Sequence, residues 1–142
     1  MFDLDTCVGF STSKVAKLVA DTFNKRLMCL GITRVQWVAL YFLGQDHWIN
    51  QRELGEKMNI KEATVARLIN RMERDGYVVR YRDESDRRVW HIALTERGIE
   101  YRERLLPEGQ KMSDLCGSNI SDEDMITFKC VLKQITRNVT TN

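Results

Sequence analysis

Between Val8 and Leu30 apolar residues recur every three or four positions, at Ala16, Val19, Phe23, Leu27 and Leu30. Val15, Leu18 and Thr22 lie beside them, which predicts a helix whose apolar stripe is wider than a one-sided surface helix needs. Gly31 ends that helix, because glycine tolerates the left-handed conformation that follows a helix terminus. Thr33-Arg34-Val35-Gln36 has the form of a capping box, and the helix after it buries Trp37, Leu40 and Tyr41 and stops near Gly44. Asn50-Gln51-Arg52-Glu53 is a second cap, opening a short helix in which Leu54 and Met58 share a face. Gly55 there allows a neighbour to approach closely.

The next helix has two opposed faces. Val65, Leu68, Ile69 and Met72 stand at i, i+3, i+4 and i+7, the spacing of a core-facing stripe. Lys61, Thr64, Arg67, Arg71 and Arg74 project to the other side. Two short consecutive helices, the second carrying a buried stripe against a basic one, have the outline of a helix-turn-helix. Asp75-Gly76 ends the second helix, and the pattern changes to period two. Tyr77, Val79 and Tyr81 alternate with Val78, Arg80 and Arg82; Trp90, Ile92 and Leu94 alternate with Val89, His91 and Ala93. Between them lies the charged tip from Asp83 to Arg88, so the segment reads as a β-hairpin set after the recognition helix, which is a wing.

Thr95 caps a long helix that passes Tyr101 and Leu105 and is expected to kink or break at Pro107. Ser121 followed by Asp122, Glu123 and Asp124 starts a last helix. In it Met125, Phe128, Leu132, Ile135 and Val139 form a seam like that of a coiled coil. The helices at the two chain ends carry more apolar surface than a small central lobe can cover, which predicts a homodimer built from both ends. The fold expected is mainly α with a small β-wing. Within a single domain over residues 1–142, residues 33–94 form the winged helix-turn-helix and residues 1–32 and 95–142 the dimerisation helices.

Composition narrows the function. At 43% hydrophobic and 30% charged residues the chain reads as globular, and no stretch approaches the roughly 20 apolar residues of a membrane span. Met1 to Asp5 carries two acids and no basic residue, unlike a secretory signal, so a cytoplasmic location without membrane partners is expected. The net charge is only +2, and from Lys61 to Arg88 eight Lys/Arg face six Asp/Glu, so geometry rather than total charge argues for DNA. Cys7, Cys29, Cys116 and Cys130 are far apart and form no C-x-x-C pair; buried free thiols are expected, the last three as helix-packing residues. With only His47 and His91 no metal site is expected. There is no phosphate-binding glycine loop and no nucleophile–base motif, so neither enzymatic activity nor a cofactor is expected.

Several segments together resemble the MarR family of bacterial regulators over nearly the whole chain. They are Ile32-Thr33 with Gln36-Trp37, Glu53-Leu54-Gly55, Ala63 to Glu73, Gly76-Tyr77-Val78, Asp86-Arg87-Arg88, Leu94-Thr95 and Gly98. The resemblance implies a dimer with two winged-helix lobes, whose Ala63 to Glu73 helix enters the major groove of double-stranded DNA. It implies that Arg88 enters the flanking minor groove, with Asp86 holding it or the loop, which agrees with the attraction of arginine to a narrow A·T-rich groove. The sequence departs from the family at two places. Lys61 stands where a small capping residue is usual; either Asn59 with Glu62 caps one turn earlier, or Lys61 exchanges capping for a phosphate contact. Ala66 stands where many relatives carry a hydroxyl.

The DNA-contact candidates are thus Lys61, Glu62, Thr64, Arg67, Arg71, Arg74, Asp86, Arg87 and Arg88. Arg71 and Arg74 have an alternative as partners of Glu73, Asp75 or a wing acid. Thr64 suits a phosphate or a thymine methyl, and Glu62 the helix dipole or a cytosine amine. Trp37, Tyr41 and Trp48 are candidates to line a pocket for a small effector between the dimer helices and the winged lobe, where relatives bind aromatic acids and similar effectors; the alternative is core packing. Cys7 invites comparison with the hydroperoxide-sensing branch of the family, but Asp3 and Asp5 oppose the thiolate that such a sensor needs. The ligands of the zinc-sensing branch fall near Trp37 and Val38, which cannot bind zinc. The reading is a palindrome-binding transcription regulator, a repressor modulated by an effector. The alternatives are a winged-helix protein-interaction module and a redox sensor.

Overall fold

The computed structural model of the chain describes residues 1–141. Among them the elements run α1 (Val8–Met28), α2 (Arg34–Gln45), α3 (Gln51–Met58), α4 (Glu62–Arg74), β1 (Val78–Arg82), β2 (Trp90–Leu94), α5 (Glu96–Cys116) and α6 (Asp122–Thr140). The chain divides into two compact units, Met1–Gly109 and Gln110–Asn142.

In the first unit α2 is central, packing against α1, α3, α4 and β2. Both predicted capping boxes form: Thr33 accepts from the Gln36 amide and Asn50 from the Glu53 amide, while each glutamine or glutamate side chain reaches back to its cap. The core includes Leu27, Ile32, Leu40, Leu43, Ile49, Leu54, Val65, Ile69, Met72, Val78 and Ile92. The predicted inward stripe of α4 is buried at all four positions. Each such side chain contributes about 1.5–3 kcal/mol relative to exposure, as an upper estimate. β1 and β2 are antiparallel, pairing Val78 with Leu94 and Arg82 with Trp90. The segment before α3 adds a short third edge, through the Asn50–His91 bridge and the Ile92 amide donating to the Ile49 carbonyl at 2.9 Å.

α1 buries only its C-terminal half, at Phe23 and Leu27, while Val15 and Leu18 stay exposed. Asn24 ties α1 to α2 by accepting the Arg34 amide at 2.8 Å. α5 is secured by Arg102, whose Nε donates to the Leu40 carbonyl at 3.0 Å, and by Tyr101, whose hydroxyl donates to the Leu30 carbonyl at 3.0 Å. In the second unit Ser121 accepts the Asp124 amide at 3.1 Å, and no residue of α6 is buried. Phe128, Leu132 and Val139 of its seam are exposed.

Three expectations are corrected. Pro107 does not break α5, which continues from Glu96 to Cys116. Proline removes one amide from the ladder, and the Glu103 residue whose carbonyl loses that partner is exposed, where water can replace it. Asn59 does not cap α4; it ends α3 in the left-handed conformation, at φ 56°. The cysteines are free but not buried: Cys29, Cys116 and Cys130 are exposed and Cys7 is half-buried. Cys29 follows the last residue of α1, Cys116 ends α5 and Cys130 lies within α6, no residue of which is buried.

Gly98, in the first turn of α5, is where backbones meet most closely: a Cβ there would overlap the Tyr77 carbonyl. Gly98→Ala gains about 1 kcal/mol of helix propensity, but a backbone carbonyl cannot swing aside as a side chain can. Overpacking of about 1–3 kcal/mol prevails, so the urea midpoint should fall. A raised midpoint would show that the α5–β1 junction is loose.

Candidate nucleic-acid interface

The site is built from the outward face of α4 and the hairpin that follows it. Because Val65, Leu68, Ile69 and Met72 are fixed in the core, Lys61, Arg67, Arg71 and Arg74 are held on the exposed side. Among the described residues these four cations enter no ion pair. The alternative pairing of Arg71 or Arg74 with Glu73 does not occur, since Glu73 binds Arg80 instead. Arg80 Nη2 lies 3.3 Å from Glu73 Oε1, its amide donates to Oε2 at 3.2 Å, and Nη1 donates to Gln51 Oε1 at 3.3 Å. One half-buried arginine thus ties α4, α3 and β1 together. Lys61 occupies the cap position of α4 without a side-chain capping bond, leaving its ammonium group exposed. Glu62 is in the acidic first turn of α4 and is exposed; Thr64 is half-buried.

The wing tip is organised by two carboxylates. Asp86 Oδ1 accepts the Arg88 amide and Nε, both at 3.1 Å, and Oδ2 accepts Nη2 at 3.2 Å. The Arg88 side chain nevertheless remains 91% exposed, so it is oriented without being covered. Hydrogen bonds from Arg88 lower the Asp86 carboxyl below its ordinary value, and the same pair raises Arg88. Asp83 accepts from the Ser85 hydroxyl, His91, and the Ser85 and Asp86 amides, which hold its carboxyl far below the usual carboxylate range. Arg87 is exposed at the tip. A cleft of about 180 Å³ lies between α3, α4 and the wing, lined by Asn50, Gln51, Arg52, Glu62, Arg88, Val89 and Trp90.

Sequence reading missed Arg80, Arg82, Gln51, Asp83 and His91. The signal for Arg80 and Arg82 was their alternation, which places both on the strand face carrying Trp90; their guanidinium groups lie 5.6 and 4.7 Å from its ring. The aromatic candidates are brought together only in part. Trp37 stacks on Tyr41 at 6.2 Å, meets Phe23 edge-on at 5.0 Å, and its indole N–H donates to the Leu105 carbonyl at 2.8 Å. Trp48, 65% exposed, instead makes its ring contacts with Tyr81 and His91 of the wing. Cys7 caps the start of α1 without a side-chain bond. Among the described residues no cluster of three or more potential metal ligands forms, and no helix is long and apolar enough to cross a membrane.

Comparison with known proteins gives a consistent result. A profile of the MarR family matches residues 32–90. The uncharacterised HTH-type transcriptional regulator YwoH of Bacillus subtilis is 30% identical over 113 residues, covering 80% of this chain and 82% of that protein. The transcriptional repressor MprA of Escherichia coli K12 is 31% identical over 116 residues, covering 80% of this chain and 64% of the repressor. The structure of the Staphylococcus aureus MepR–DNA complex superposes with a TM-score of 0.85 at 22% identity, covering 93% of this chain and 98% of that one. At that identity the likeness shows the fold, a winged helix-turn-helix.

The lowered carboxyls of Asp83 and Asp86 give a pH expectation. A group whose value is depressed on folding contributes stability that is complete above its unfolded value, about 3.9, and lost only as pH falls through the folded one. The Ser85, Asp86 and Arg88 amide resonances should therefore hold their positions from about pH 6 to about pH 4.5. A titration of those amides centred between about pH 4 and about pH 6 would show that the carboxylates are not held as described.

Proposed function

The chain belongs to the MarR family, and from that premise we propose that it binds double-stranded DNA sequence-specifically, as a homodimer that regulates transcription. The observation that carries this reading is the pair of opposed faces on α4: four buried apolar residues behind, and unpaired Lys61, Arg67, Arg71 and Arg74 in front. Beside them stands Arg88, exposed yet already oriented by Asp86. In this reading α4 lies in the major groove, with Arg67 reaching a base edge and Thr64 a phosphate or thymine methyl. Lys61, Arg71, Arg74 and Arg87 neutralise phosphates, Glu62 favours the α4 dipole, and Arg88 enters the flanking minor groove. MepR, of the same fold, was solved with DNA.

The exposed apolar residues of the chain ends support the dimer. Val8, Phe10, Val15 and Leu18 of α1 and Phe128, Leu132 and Val139 of α6 are open in the single chain, and burial against a second copy removes them from water. Two recognition helices related by a two-fold axis suit an inverted repeat with half-sites about 10–10.5 base pairs apart, or a multiple of that. Occupying such a site near a promoter obstructs polymerase, and the related MprA is named as a repressor. A small effector would act by favouring a dimer geometry in which the two helices no longer match successive grooves. A protein-docking role for α4 requires an apolar outward face, and the outward face is cationic.

Arg67→Ala should weaken binding to a high-affinity duplex by about 1–3 kcal/mol while changing mixed-sequence binding much less. Equal weakening on both duplexes would make Arg67 a phosphate contact. Arg88→Ala should weaken binding on the order of tenfold and flatten the preference for A·T-rich flanks. Unchanged affinity and flank preference would remove the wing from the interface. Fluorescence anisotropy over a salt series separates these cases, because each lost phosphate contact lowers the salt slope by about 1.

A further inference from the structure

His91 is 5% exposed in β2, where it pairs with Tyr81 next to the wing tip. Its Nδ1 lies 3.0 Å from the Trp48 carbonyl oxygen and its Nε2 lies 2.7 Å from Asp83 Oδ2. A carbonyl oxygen can only accept, and so can an ionised carboxylate. Each contact therefore calls for an N–H, and an imidazole ring supplies both only when it carries two protons. A neutral ring would turn one lone pair toward an oxygen in a place from which water is excluded, a costly arrangement. Protonating Asp83 would relieve the conflict, but that carboxylate also accepts the Ser85 amide at 2.8 Å, the Ser85 hydroxyl and the Asp86 amide at 3.0 Å. These donors all favour its ionised form, so the proton belongs to the ring.

We propose that doubly protonated His91 is the positioning residue of the wing: it anchors Asp83, and through it Asp86 and Arg88, so that the grip on DNA follows the charge of one histidine. This rests on the reading of Arg88 as a DNA contact. The connection is continuous. Asp83 accepts the Asp86 amide, the Asp83 amide donates to the Val89 carbonyl at 3.0 Å, and the Val89 amide returns to the Asp86 carbonyl at 3.0 Å. The Asp86 carboxylate then holds the Arg88 guanidinium. Through its other nitrogen His91 fixes this assembly to the segment between α2 and α3.

The groups around the ring leave Asp83 as its charged partner. From β1, Tyr81 stacks at 5.5 Å, and burial pushes its phenol up, keeping it neutral. Arg80 and Arg82 of the same strand are directed to Trp90. From the α2–α3 segment Trp48 brings its ring, at 4.8 Å, and its carbonyl; Asp46 accepts the Trp48 amide at 2.9 Å, and His47 is exposed. Asn50, bridged to His91, carries no charge. Imidazole is the side chain whose charge ordinarily changes between about pH 5 and 8. The sign follows: the anchored wing is complete on the acid side and loses one of its two anchors as pH rises.

The test uses the full-length protein and a duplex selected from a random pool, at fixed ionic strength. Affinity should fall about tenfold from about pH 6 to about pH 8.5, the size of one hydrogen bond to a charged group. His47→Gln, which alters the other histidine, should keep that dependence, while His91→Gln, Asp83→Asn and Arg88→Ala should each flatten it. Nitrogen-15 resonances of the His91 ring in the unbound wild type, with both nitrogens protonated at about pH 6, provide a readout independent of DNA and of how the variants fold. A single neutral tautomer there, or an undiminished pH dependence in His91→Gln, overturns the proposal. If the ring is doubly protonated but Arg88→Ala binds like wild type at every pH, the wing reading itself is what has failed, and the DNA half of the proposal with it.

Discussion

The burial of Val65, Leu68, Ile69 and Met72 fixes how α4 is rotated, and the cationic front of the site depends on that rotation. A helix turned by one position, about 100°, would carry its arginines into the core or along the protein surface. Four side chains at about 1.5–3 kcal/mol each make such a turn prohibitive against a total stability of about 5–15 kcal/mol. Among the described residues Arg67, Arg71 and Arg74 on the opposite face enter no ion pair, and unpaired cations at fixed positions are what a polyanion can use.

The wing follows a different design, in which polar groups rather than apolar burial set the geometry. Arg80 links β1 to α4 and α3 through Glu73 and Gln51, fixing the base of the hairpin relative to α4. Beyond it, Asp83 and Asp86 gather the backbone amides of the tip and hold Arg88 outward. An exposed ion pair by itself is worth little. What matters here is orientation: an arginine whose guanidinium is already held has less rotamer freedom to lose on meeting a partner.

The parts legible in the sequence are those set by periodicity and by local capping chemistry. The buried stripe of α4, both capping boxes and the hairpin follow from spacings within a few residues of one another. What sequence could not disclose depends on contacts between distant segments. His91 meets Trp48 across 43 positions, and nothing local distinguishes it from any other strand histidine. Glu73 had two nearer arginines to choose from, and the hairpin register decides for Arg80. Of the kink or break expected at Pro107 the break does not occur, because a missing amide at a solvated position is tolerated within a continuous helix. The apolar character of cysteine does not decide its burial here, because Cys7, Cys29 and Cys116 stand at helix ends and Cys130 on α6, which has no buried residue. The open faces of α1 and α6 and the cationic front of α4 belong to one account, since a dimer presents two recognition helices where a monomer presents one.

The most direct test of that account is selection from a random double-stranded DNA pool by folded, dimeric protein, followed by affinity measurement on the winning sequence. The account predicts enrichment of an inverted repeat with half-sites one or more helical turns apart, bound about 10³-fold or more above the salt-sensitive background. A pool that stays random, bound with one weak and strongly salt-dependent affinity throughout, would contradict it.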